Sequence, residues 1–159
     1  MTGLKPWLNY LKDSGVMYSH STHVPADTAL LTASAERMPA EKFAKCVVYF
    51  SQAGFGMALV PSNEFVDLEK LAAVVGANHV RLATESELGM LFPDCELGAM
   101  PPFGNVYKLP VVVDSDVASN EFIAFTLGTH RDVVRMSFED YRKLVEPVIS
   151  AIAVTKELN

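Results

Sequence analysis

The longest uncharged stretch of the chain, residues 46–63, is long enough to suggest a membrane span, but its residues forbid one. Ser51, Gln52, Gly54, Gly56 and Pro61 interrupt it and put turn-forming residues at its centre. Val and aromatic residues dominate 43–50, residues 52–56 make the turn, and 57–60 return, so the stretch predicts an antiparallel hairpin. Half of the 159 residues are hydrophobic and 20% are charged, a balance that excludes intrinsic disorder and suits a packed globule. A chain of this length predicts a single domain over residues 1–159.

Charge and cysteine content narrow the partners. Thirteen Lys and Arg against nineteen Asp and Glu give a formal charge of -6, which excludes non-specific coating of DNA or RNA but not a local basic patch. Two cysteines are too few for a disulfide scaffold and point to a reducing compartment. Leu4, Trp7, Leu8 and Leu11 recur at helical spacing, and Lys5, Lys12 and Asp13 break any export-signal core. The expectation is a soluble, cytoplasmic protein with no membrane contact.

Caps and periodicity place the other elements. Helices are predicted over residues 4–14, 28–37, 67–75 and from the Thr84/Glu87 capping box to before Pro93. A last helix is predicted from Ser137 to about Val154, kinked at Pro147. Short strands are expected over 16–21, 79–82, 110–113, 121–127 and 131–136. The fold class is therefore α/β of the α+β type, a mixed, mostly antiparallel sheet flanked by helices.

Three features carry chemistry. Lys45 opens the otherwise apolar run 45–50, where it either snorkels from the strand end or enters a cleft as a fixed cation. Residues 98–102, Gly98-Ala99-Met100-Pro101-Pro102, have no reactive side chain, so they are either a rigid surface turn or a stiff loop that aims backbone amides at a carbonyl. His130, in a Gly128-Thr129-His130 turn, is a solvent-facing residue or a general base. His20 and His23 lack further ligands at sensible spacing, so no metal is expected, and no cofactor motif is present. Cys46, inside a Val-rich run, reads as a core residue rather than a nucleophile.

An apolar strand opened by Lys45, the Gly98-xxx-Pro102 loop and the Gly128-Thr129-His130 turn occur in that order. Together they resemble the YbaK/prolyl-tRNA synthetase-associated editing-domain family (INS superfamily). The likeness covers about residues 11–147 and is most specific over 92–104. It implies a barrel-like version of the mixed sheet, and a freestanding trans-editing hydrolase that deacylates mischarged tRNA. By the same resemblance, Lys45, Gly98 and His130 are the catalytic residues. Ala99, Met100, Pro101, Pro102, Cys46, His23 and Phe50 bind substrate. Water attacks the ester, and no acyl-enzyme forms.

Cys46 stands where several subfamilies carry Asn, Ser or Thr, which leaves the edited amino acid open. A pocket of Met and Cys suits alanine first and cysteine next on tRNA(Pro), with serine less favoured because its hydroxyl needs a partner. The implied partner is the acceptor end of tRNA, with prolyl-tRNA synthetase or an elongation factor supplying full tRNA selection. Lys42, Lys45, Lys108, Arg131 and Arg135 are candidates for a basic patch beside the cleft. The alternative is a non-catalytic nucleotide- or aminoacyl-binding module of the same fold, or an esterase acting on small free substrates.

Overall fold

The computed structural model describes residues 4–23 and 28–156. In chain order the elements are α1 (Lys5–Asp13), β1 (Tyr18–Thr22), α2 (Ala29–Ala35), β2 (Ala44–Ser51), β3 (Gly54–Pro61), β4 (Phe65–Val66), α3 (Leu68–Val75) and β5 (Val80–Leu82). There follow α4 (Glu85–Leu91), β6 (Val111–Asp114), α5 (Ser115–Ala118), β7 (Phe122–Thr126), β8 (Asp132–Ser137), α6 (Phe138–Val145), β9 (Val148–Ser150) and β10 (Ala153–Val154). A 3-10 turn, Ala40–Lys42, precedes β2.

Five strands form a mixed sheet in the order β5-β2-β3-β6-β9, and β1-β8-β7 form a second, antiparallel sheet. The predicted hairpin is the β2–β3 pair, with Lys45 opposite Val60 and Ser51 opposite Gly54. β3 and β6 run parallel, so the chain between them must cross over, and it carries α3, β5, α4 and the 98–102 loop across. β3 is apolar throughout because both faces are covered. Met57 and Leu59 face the main core with Trp7, Phe103 and Phe125, while Ala58 and Val60 pack with Leu71 and Ile152 on the other side.

Two expectations need correction. The sheet does not close into a barrel: a single bridge, Phe43 to Ala124, joins the two larger sheets, and β4 pairs separately with β10. The last helix stops at Val145 instead of kinking onward. Glu146 takes a left-handed conformation (φ 53°), Pro147 has no N–H to continue the ladder, and the chain turns into β9. The buried Asp114 carboxylate then accepts from the amides of Ile152 (2.8 Å) and Ala153 (2.9 Å), fixing the C-terminal segment. No helix among the described residues is long and apolar enough to cross a membrane.

Candidate active site

β5 covers β2 only over Tyr49–Ser51, so the first half of β2 is an open sheet edge. A cavity of about 300 Å³ lies along that edge. Its lining includes Lys45 and Cys46 from β2, Gly98 and Met100 from the crossover loop, and His130 from the β7–β8 turn. These residues are far apart in sequence and meet because the loop is clamped to the turn. Glu96 N–H donates to the Gly128 carbonyl (2.9 Å), and Gly128 N–H donates to the Ala99 carbonyl (2.8 Å). His130 N–H donates to the Glu96 carboxylate (2.7 Å). Gly98 and Gly128 both sit in the left-handed region (φ 84° and 88°), which only glycine enters without strain.

The clamp also sets the state of His130. Its Nε2–H donates to the Leu97 carbonyl at 2.6 Å, which leaves the lone pair on Nδ1 in the neutral ring. The turn is braced by Asp132, which accepts from Thr129 Oγ1 (2.6 Å), His20 Nε2 (2.7 Å) and Thr22 Oγ1 (3.2 Å). Burial works against its charge, and these donors outweigh burial and hold the Asp132 carboxyl below the usual carboxylate range. From beneath, the Tyr141 hydroxyl on α6 donates to the Pro102 carbonyl (2.6 Å) and ties the loop to the core.

Among the loop amides, Ala99 N–H is spent on the Glu96 carbonyl (3.0 Å), whereas Gly98 and Met100 N–H have no protein acceptor among the described residues. Those two residues line the cavity. Ala99, Pro101 and Pro102 are buried behind it and stiffen the loop rather than face the space. Lys45 lies at the strand entrance with its Nζ 4.6 Å from the Phe65 ring centroid, a neighbour the sequence did not suggest.

Two expected substrate contacts lie elsewhere. Phe50 is five residues further along β2, roughly 16 Å at strand rise, and packs against Phe55 and the Arg81 guanidinium. His23 is directed toward Glu36, with Nε2 3.9 Å from its carboxylate, and does not line the cavity. The walls that sequence reasoning missed are Val48, Leu82, Ala83, Leu88, Thr28, Thr32 and Thr126. Most are apolar strand or helix residues that carry no chemical signature. The Leu82–Leu88 wall is held by a bidentate Arg81–Glu87 pair (2.8 and 3.0 Å), with Glu87 also accepting from Thr84 N–H.

The Cys46 thiol is pushed up to about 12, chiefly by burial and then by the nearby Cys95. It is therefore a protonated wall at neutral pH, not a nucleophile. Iodoacetamide at pH 7 is expected to leave any hydrolytic activity intact, as measured by residual rate against mass-spectrometric labelling. Inactivation that tracks Cys46 modification would contradict this assignment.

Residues 23–144 match the model of the aminoacyl-tRNA editing domain. The chain belongs to that family. Over 79 residues, half of this chain, the editing domain is 38% identical to a proline–tRNA ligase of Xanthomonas axonopodis pv. citri (strain 306), covering 14% of that protein. Over 92 residues, 57% of this chain, it is 30% identical to the multifunctional Ser/Thr-tRNA deacylase ProXp-y of Escherichia coli (strain K12). That match spans 54% of the deacylase, so the chain aligns with about half of one relative and a small part of the other. A crystal structure of a protein proposed as a trans-editing enzyme for prolyl-tRNA synthetase superposes with TM-score 0.80 at 22% identity. It covers 97% of this chain and 99% of its own, and shows that the two share a fold.

Proposed function

We propose that this editing domain is an aminoacyl-tRNA deacylase that hydrolyses the ester of a mischarged tRNA in the cavity along β2. The observation that carries the reading is the pair of unspent amides, Gly98 and Met100, facing a space shared with Lys45 and His130. Water attacks the ester carbonyl, and the two amides donate to the oxygen as it becomes an oxyanion. The C–O bond to the ribose then breaks. The 3′ oxygen leaves as a hydroxyl with a proton from the attacking water, and the amino acid leaves as a carboxylate. Lys45 holds the phosphate of the terminal adenosine, and His130 Nδ1 accepts from the ribose hydroxyl or the water.

A synthetase pocket distinguishes one methylene by only about 1–3 kcal/mol, so a second, smaller site is needed for what slips through. The walls of Cys46, Val48, Ala83, Leu88 and Met100 favour alanyl or cysteinyl esters of tRNA(Pro). A second reading, a seryl ester, is favoured by Thr126, which lines the cavity with no side-chain partner among the described residues. Selection of the whole tRNA falls to prolyl-tRNA synthetase or an elongation factor. The test is hydrolysis of Ala-, Cys-, Ser- and Pro-tRNA(Pro) by the purified chain. Release of alanine or cysteine with Pro-tRNA(Pro) intact is expected. Release of serine alone selects the second reading, and no release from any of the four overturns the deacylase.

A further inference from the structure

A second cavity, about 470 Å³, opens on the far side of the Phe43–Ala124 bridge from the active-site cavity. Alternate residues of β7 run from one to the other: Phe122 and Ala124 line the second cavity and Thr126 lines the first. Three cations meet there from three separate elements: Arg37 after α2, Lys42 from the 3-10 turn and Arg135 from β8. All three are exposed, and among the described residues none forms an ion pair. Arg135 lies flat over the Phe122 ring at 4.6 Å, and Phe122 is itself exposed at the rim. Of the two carboxylates in the lining, Glu36 already accepts from Ser21 Oγ and sits beside His23, which leaves Glu121.

In a chain of formal charge -6, three unpaired cations and an exposed aromatic around one groove need a reason. We infer that this groove seats the sugar–phosphate strand of an RNA that enters the active-site cavity by its end. The inference rests on the deacylase reading for the identity of that RNA, a tRNA acceptor stem. Arg and Lys neutralise successive phosphates, and the stacked guanidinium and ring offer a flat face to a ribose or base. The cations fix the register of the strand, so its terminus reaches the open edge of β2. The groove reads no side chain of the amino acid, which separates tRNA grip from ester choice.

The test is equilibrium binding of uncharged tRNA(Pro), followed by fluorescence anisotropy between 50 and 200 mM salt. Wild type is compared with Lys42→Gln/Arg135→Gln and with a control of equal charge change on other faces, Lys12→Gln/Lys70→Gln. The groove variant is expected to bind about tenfold more weakly at the lowest salt. Its slope of log affinity against log salt is expected to fall by about 1.4–1.8, because each of the two phosphates left without its cation accounts for about 0.7–0.9. The control should keep the wild-type slope. Equal losses in both double variants, or an unchanged slope in the groove variant, overturn the inference. Circular dichroism and thermal melts report that both variants fold. Deacylation is scored separately: a wild type that binds through the groove yet hydrolyses no ester removes the enzyme reading alone. A wild type that hydrolyses esters while the groove variant binds as tightly as it does removes the groove alone.

Discussion

Lys45→Ala is expected to slow deacylation by about 10²–10³-fold, the loss seen when one preorganised charge or donor is removed from a reacting carbonyl. The melting temperature should stay close to wild type, because Lys45 is half-buried at the start of β2 and its replacement leaves the hairpin pairing to Val60 intact. The side chain matters as a cation on a long stem: Nζ rests over Phe65, and the residue lines the cavity mouth. Lys45→Arg should not restore the rate, since a planar fork cannot occupy the same point as an ammonium. Single-turnover rates with saturating enzyme separate this effect from tRNA binding. A Lys45→Ala protein that turns over at the wild-type rate removes Lys45 from the chemistry.

Gly104→Ala is expected to be the most destabilising small substitution near the loop. A Cβ there would stand 2.7 Å from the Leu109 carbonyl oxygen and would collide with the Val111 side chain. The Leu109 oxygen belongs to the backbone, and Gly104 itself accepts from the amides of Tyr107 and Leu109, so neither side can yield cheaply. Overpacking of this kind costs about 1–3 kcal/mol, which for a chain of this size lowers the melting temperature by about 2–12 °C. Gly89 is the internal control. It sits in α4 with nothing within 4 Å of its would-be Cβ, so Gly89→Ala is expected to stabilise by up to about 1 kcal/mol. Calorimetry on the two variants should give shifts of opposite sign. A stable Gly104→Ala protein would mean that the loop tolerates movement, against the stiffness the deacylase reading requires.

The elements most legible in the sequence were those with chemical punctuation. Asp67 caps α3 by accepting from Glu69 and Lys70 N–H, and Gly76 ends it at φ 71°. Thr84 and Glu87 form the reciprocal capping box expected of them. The C-terminal strands had no such marks: Val148-Ile149-Ser150 continues an apolar helical pattern, and only the left-handed Glu146 reveals the break. The two-stranded β4–β10 pair escaped for the same reason, since two residues carry no period.

At the site, legibility followed residue type. Lys45, Gly98 and His130 stood out because a cation in an apolar run, a glycine between prolines and polar turns, and a histidine at a turn are unusual where they occur. Leu82, Ala83 and Leu88 are ordinary residues whose part in the wall depends on how β5 and α4 pack against the open edge of β2. Phe50 and His23 were drawn toward the pocket by nearness in sequence, and strand rise and the Glu36 contact carried them elsewhere. Arg37 gave no signal at all, because its meeting with Lys42 and Arg135 depends on how α2 and the 3-10 turn lie against β7 and β8.

The central claim is that this cavity breaks an ester rather than merely holding one. Its most direct test is the time course of amino-acid release from Ala-tRNA(Pro) with the protein at one-hundredth of the substrate concentration. Many alanines released per protein molecule, with Pro-tRNA(Pro) stable under the same conditions, is the result expected of a deacylase. Tight binding of the aminoacylated tRNA with no release above the spontaneous rate, for alanine, cysteine and serine alike, would make the chain a binding module and contradict the account.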